Sequence, residues 1–161
     1  VIAVLLSIFD FFRRAWRPYA AVLGKPEGVE GYHDMTRYPG AQQVPGLLIV
    51  RWNAPLFFAN ANIFREYIRK LVAETSPAPK WILVSAEPVT DIDTSAADVL
   101  VDLDLELNNK DIHLVFAEMK DPVKDKIVRY GLLETIDQRH FYPTIETAVE
   151  AYTQEVSKAQ A

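Results

Sequence analysis

The sequence predicts an α/β domain on a mixed sheet, and two patterns carry that prediction. Short aliphatic runs of strand length alternate with longer stretches whose apolar residues recur at helical spacing. Turn formers stand at the changeovers: Asn53-Ala54-Pro55, Pro77 with Pro79, Asn108 to Asp111, Gly131 and Pro143. With 161 residues, 50 % of them hydrophobic and 24 % charged, the chain can build one ordinary core plus an appendage.

Taken in order, Val1 to Phe12 is apolar except for Ser7 and Asp10, and a basic flank follows in Arg13, Arg14 and Arg17. The stretch falls short of the roughly 20 apolar residues that cross a bilayer. Its charges lie on the wrong side for a signal peptide. Two readings stand. One is the cytoplasmic end of a membrane helix cut short by a start at Val1, with Arg13, Arg14 and Arg17 on the positive-inside flank and Trp16 and Tyr19 in the interface. The other is an amphipathic helix packed on the domain, and a membrane-surface helix fits either. The positive-inside pattern favours the first. Residues 24–46 hold five of the six glycines and three of the ten prolines, so they form a linker, within which Val29 to Arg37 reads as a first, exposed strand.

From Gly46 the pattern tightens. Leu47 to Trp52 is an aliphatic strand, and Leu56-Phe57-Phe58 a short second one. Asn60 or Asn62 can cap a helix reaching about Ala73, which Pro77 and Pro79 stop. Trp81 to Val84 is the next strand. A helix from about Ser95 to Leu107 follows it, with Ala96, Leu100, Leu103 and Leu107 on one stripe and Asp98, Asp102 and Glu106 away from it. Ile112 to Ala117 is a third strand of the cycle. Asp121 as N-cap and Pro122 in the first turn open another helix, and Gly131 ends it. After a short His140-Phe141-Tyr142 segment, Pro143 opens a last helix with Ile145, Ala148, Val149, Tyr152 and Val156 on one face.

The chemistry is mostly defined by exclusion. The absence of cysteine excludes disulfides, thiolate metal sites and cysteine nucleophiles. A net charge of −5 argues against general nucleic-acid binding. There is no P-loop, dinucleotide glycine pattern or nucleophile elbow. His33, His113 and His140 are scattered without ligand spacing. No catalytic residue, metal ligand or resident cofactor is assigned, and the chain is expected not to be an enzyme. Phe57 and Phe58 lack the interleaved basic residues of a base-stacking platform, so they read as packing.

One junction stands out. Asp91-Ile92-Asp93-Thr94-Ser95-Ala96 lies where a strand hands over to a helix, a place that favours negative charge and hydrogen-bonding side chains. Asp91 and Asp93 read as caps or solvated loop charges. Thr94 and Ser95 can serve in the cap and first turn, or accept a phosphate that the two carboxylates would oppose. Capping is the stronger reading.

The order of elements, with an Asp-hydroxyl-hydroxyl-small motif after the second long strand, resembles the STAS domain (sulfate transporter and anti-sigma factor antagonist). The likeness is greatest to the cytoplasmic STAS domain that ends SulP-type anion transporters. It rests on Arg13-Arg14 to Pro18, Ala21-Val22-Leu23-Gly24, Arg37-Tyr38-Pro39 and Val44-Pro45-Gly46-Leu47. Its most specific stretches are Ala54-Pro55-Leu56-Phe57-Phe58-Ala59-Asn60-Ala61 and Thr90 to Ala96.

The resemblance implies a four- to five-stranded mixed sheet with surrounding helices. It implies three segments: 1–23, the end of the last transmembrane helix with a basic juxtamembrane stretch (Arg13, Arg14, Trp16, Arg17); 24–46, linker and first strand; 47–158, the domain core. It implies a regulatory or interaction domain of an anion transporter, with sulfate the expected cargo, at the cytoplasmic face of the plasma (inner) membrane. Its partners would be the transmembrane part, a second STAS domain or a cytosolic regulatory protein. The regulatory loop would be Asp91, Asp93, Thr94, Ser95 and Ala96, with Thr94 at the phosphoacceptor position and Ser95 beside it. Weak binding of GTP, GDP or ATP would use a surface of Pro55, Phe57, Phe58, Asn60, Asn62 and Thr94. The alternative is a free-standing phospho-switch protein of the anti-sigma antagonist type. Ala96 stands where those proteins commonly carry glycine, which favours the transporter branch.

Overall fold

The computed structural model describes residues 2–16 and 18–160. Helix α1 (Ile2–Trp16) leads into strands β1 (Ala20–Gly24), β2 (His33–Asp34) and β3 (Leu47–Trp52). Then α2 (Ala61–Glu74), β4 (Trp81–Ser85), α3 (Thr94–Asn108), β5 (His113–Ala117), α4 (Asp121–Arg129), β6 (Phe141–Tyr142) and α5 (Ile145–Gln160) follow. The sheet order is β2-β1-β3-β4-β5-β6. Strand β1 runs antiparallel to both neighbours, while β3 to β6 are parallel. The mixed sheet expected from the sequence is therefore present, with two-residue strands at both edges bringing it to six.

Alternation along the strands sends residues to two cores. Leu48, Val50 and Trp52 of β3, Ile82 and Val84 of β4, and Leu114 and Phe116 of β5 face Phe64 and Ile68 of α2, Leu100, Leu103 and Leu107 of α3, and Val123 and Ile127 of α4. On the other face Leu23, Leu47, Ile49, Trp81, Leu83 and Val115 meet Ile145, Ala148 and Tyr152 of α5. Every residue of β4 is buried, as a central parallel strand covered on both sides requires. Thr144 and Thr147 cap α5 reciprocally: each backbone N–H donates to the other's hydroxyl, both at 3.2 Å.

Several elements differ from the sequence reading. The first strand is β1 rather than Val29 to Arg37, where only His33 and Asp34 pair. Ala20-Ala21-Val22-Leu23 is small and apolar, and its pairing partner β3 lies more than 20 residues on, so nothing local marks it as a sheet strand. Leu56-Phe57-Phe58 forms no strand; Leu56 makes one bridge to Ile92 and the chain then turns. Helix α4 starts one residue earlier than expected, with Lys120 at the cap position and Asp121 in the first turn. Gly131, in the left-handed region at φ 77°, follows that helix as expected.

Asp104 lies buried on α3, accepting from Asn108 Nδ2 at 2.9 Å. Burial pushes its carboxyl above the usual range, and hydrogen bonding from Asn108 and the charge of His113 offset this in part. A raised acid favours the folded state in its protonated form, so that contribution is complete below the unfolded value near ~3.9 and is lost as pH rises through the folded one. Asp104→Asn is thus expected to gain stability relative to the parent between about pH 4 and 7. Urea unfolding at both ends of that range tests it, and a pH-independent difference would contradict it.

Candidate functional site

The loops that follow β3 and β4 are lashed together beside the starts of α2 and α3. Leu56 N–H donates to Asp91 O at 3.0 Å, and Asp93 N–H to Leu56 O at 3.2 Å. Asp93 then joins the two loops through its side chain. One carboxylate oxygen accepts from Ala96 N–H at 2.8 Å, making Asp93 the N-cap of α3, and the other accepts from Phe58 N–H at 2.9 Å. Asn60 is fully buried at the cap position of α2, yet its side chain does not cap that helix. Its amide instead braces the preceding turn, accepting from Phe57 N–H at 3.0 Å and donating to Pro55 O at 2.9 Å. Asp91 pairs with Lys126 of α4, and this hydrogen bond is the main cause holding the carboxyl below the ordinary carboxylate range.

The structure brings the two halves of the sequence-predicted surface together. Pro55, Phe58 (70 % exposed), Asn62, Thr94 and Ser95 are exposed, Phe57 and Asp93 half-buried, and Ala96 and Asn60 buried. The rings of Phe57 and Phe58 meet edge to face at 5.7 Å. Thr94 and Ser95 occupy the first turn, and their hydroxyls make no hydrogen bond among the described residues. Asp93 takes the capping role open to them. Lys126 is a residue that the sequence did not single out. It lies 35 positions from Asp91, so no local spacing announces the pair.

The basic head enters the sheet beside the end of β3, where Asn53 holds Tyr19. In α1 the described apolar side chains are exposed all round, among them Leu5, Leu6, Phe9 and Phe11, so the helix does not pack on the domain as the amphipathic reading had it. Arg13 pairs with Asp10 at 3.3 Å, and Trp16 is exposed. Arg17 and the side chain of Arg14 lie outside the described residues. Among the described residues no helix is long and apolar enough to cross a membrane.

A family model for the STAS domain matches residues 38–148, covering both loops of the junction and the sheet from β3 to β6. The chain belongs to the STAS domain family. Among relatives, a protein named as a probable sulfate transporter of Mycobacterium tuberculosis is 37 % identical over 150 residues, covering 93 % of this chain and 27 % of that protein. Sulfate transporter 1.1 of Arabidopsis thaliana is 31 % identical over 168 residues, covering 99 % of this chain and 26 % of that protein. This STAS chain thus spans about a quarter of the length of these relatives. The fold is shared with the murine anion transporter Slc26a9 in its inward-facing state, at a TM-score of 0.85 and 21 % identity over 95 % of this chain and 25 % of that one. A STAS domain of a SulP transporter from Vibrio cholerae aligns at a TM-score of 0.60 and 15 % identity, covering 77 % of this chain and 94 % of that one. An anti-sigma factor antagonist from Mycobacterium paratuberculosis shares the STAS fold at a TM-score of 0.54 and 19 % identity, over 68 % of this chain and 88 % of that one.

Proposed function

We propose that this STAS domain is the cytoplasmic end of a SulP-type anion transporter, with sulfate as the cargo of the whole protein. It would regulate or help assemble the membrane part from the inner face of the plasma membrane, without catalysis of its own. The observation that carries this reading is α1. A helix exposing Ile2, Leu5, Leu6, Phe9 and Phe11 to water leaves a large apolar surface uncovered, and a basic flank follows it. A bilayer or a neighbouring membrane helix would cover such a surface, with Arg13 at the headgroups. The similarity to sulfate transporters over more than nine-tenths of the chain supports the same reading.

The α2/α3 junction would be the docking face toward the membrane part, a second STAS domain or a cytosolic regulator. Phe58 is an exposed aromatic beside the fixed Asp93 bridge, the kind of residue that anchors an interface. Phosphate on Thr94 would meet the carboxylates of Asp91 and Asp93, so a free-standing phospho-switch is the less favoured reading. For GTP, GDP or ATP the case is weaker still, because Asp93 already holds an N–H of the α3 start.

Sulfate uptake by the complete parent protein in proteoliposomes tests the proposal. Removal of residues 20–160 is expected to reduce uptake to background at equal membrane content. Phe58→Asp is expected to reduce it several-fold while leaving the melting temperature unchanged. Undiminished uptake after removal would rule out the regulatory role, and a parent that moves no anion would rule out the transporter reading.

A further inference from the structure

A cavity of about 440 Å³ opens at the β2–β1 edge of the sheet, beside the end of β3. It is lined by Tyr19 just ahead of β1, His33 and Asp34 of β2, Arg37 and Tyr38 in the turn after β2, and Arg51 near the end of β3. Its acidic and basic groups are in very different states. Asp34 is buried and its oxygens are occupied: one accepts from the Tyr19 hydroxyl, the other from Thr36 N–H at 2.8 Å and the Thr36 hydroxyl at 2.7 Å. These hydrogen bonds, that from Tyr19 foremost, hold its carboxyl below the ordinary range, with the Arg51 charge adding to them. It remains an anion through the neutral range and offers little further acceptor capacity.

The cations lack protein partners among the described residues. Arg51 has a buried Nε with no acceptor, and among the described residues its guanidinium makes no hydrogen bond or ion pair. Arg37 is likewise without an ion pair among the described residues. A charged N–H donor shut away from both protein acceptors and solvent is costly, and such groups in native proteins normally have a partner. Two guanidiniums against one carboxylate leave the cavity net positive, in a chain whose overall charge is −5. The planar donor fork of arginine matches two oxygens of a tetrahedral or planar oxyanion. The Tyr38 phenol lines the same space and can donate a further hydrogen bond. The Nε2 of His33 is held by Glu30 O at 2.8 Å, which keeps that ring directed by the loop rather than by the cavity.

We propose that this cavity binds a sulfate- or phosphate-type oxyanion, with Arg51 and Arg37 as its principal ligands and Tyr38 as a third donor. Asp34, locked by Tyr19 and Thr36, attracts Arg51 by its charge without a salt bridge to it. The anion has two sources: a free ion in solution, or the phosphate headgroup of a lipid. The second follows from the cavity beginning at Tyr19, three residues beyond the last residue of α1, and it alone rests on the membrane placement proposed above.

Titration of the full 161-residue chain, ¹⁵N-labelled in nanodiscs of phosphatidylcholine, tests the site through its arginine Nε–H resonances. Sulfate and inorganic phosphate are added at constant ionic strength, with chloride as the comparison. A saturable shift of the Arg51 and Arg37 signals with the oxyanions and not with chloride is expected. Arg51→Gln should weaken the apparent affinity at least about tenfold, as loss of a charge-assisted donor pair implies. Arg37→Gln, on an exposed turn that carries no core packing, should weaken it as well, and keeps the test valid if Arg51→Gln does not fold. In a second arm, nanodiscs containing phosphatidic acid and no free oxyanion are compared with phosphatidylcholine alone. A shift of Arg51 there identifies a lipid headgroup as the ligand, and a shift only in the first arm identifies a free ion. Immobility of Arg51 in both arms, equal shifts with chloride, or an Arg37→Gln variant that titrates like the parent would overturn the proposal.

Discussion

Gly46→Ala is expected to destabilise the domain by about 2–4 kcal/mol, although it adds a single methyl group. Gly46 has φ +80°, in the left-handed region where an alanine is strained. A Cβ there would run into the Tyr152 hydroxyl. That tyrosine cannot easily give way. Its hydroxyl donates to Pro45 O at 2.8 Å, and its ring packs edge-on against Trp81 at 5.4 Å. Gly46 O also accepts from Lys80 N–H at 2.7 Å and Trp81 N–H at 3.2 Å, so the same residue registers the start of β4 against β3. Urea unfolding of the single variant and of Gly46→Ala/Tyr152→Phe separates the causes. The double variant should recover the part of the loss due to the hydroxyl, leaving the backbone strain. No recovery at all would show that the clash is not the mechanism.

Asn60→Ala should cost about 2–3 kcal/mol and, more tellingly, should loosen the candidate surface before it unfolds the domain. The side chain is buried and makes two hydrogen bonds within the turn that carries Phe58. Its loss strands Phe57 N–H and Pro55 O. Amide exchange is expected to rise first at Phe57 and Phe58, with the centre of β4 unaffected until global unfolding. Asn60→Asp keeps the acceptor for Phe57 and loses the donor to Pro55, so it should fall between the parent and the alanine variant. Uniform acceleration of exchange across the sheet would instead mark Asn60 as a general core residue.

These expectations show which parts of the domain a sequence can convey. The β3–α2–β4–α3–β5 cycle was legible because it repeats two simple periods, and the stripe of Ala96, Leu100, Leu103 and Leu107 packs as its spacing requires. Family motifs located both halves of the junction, Pro55 to Asn62 and Asp91 to Ala96. What stayed hidden is non-local or contrary to habit. Strand β1 is defined by pairing with β3 across a long loop, and its own residues are small. Asn60 occupies a cap position and yet turns its amide backward into the loop, a choice that only burial reveals. The cavity of Arg37 and Arg51 is assembled from three separate stretches, and although Arg37-Tyr38 belongs to a family motif, nothing local brings it to Arg51 and Tyr19.

The placement of β1 has a mechanical consequence. Only Arg17, Pro18 and Tyr19 separate α1 from a strand held on both sides by β2 and β3, a contour of about 10 Å at full extension. The last of these is already fastened, since Asn53 donates to Tyr19 O from both its backbone at 3.1 Å and its side chain at 3.0 Å. Pro18 stiffens what is left by restricting its own φ. A rotation or axial shift of α1 would therefore reach β1, one strand in from the β2 edge, over a tether of only three residues. The α1–β1 joint is a short crank rather than a leash.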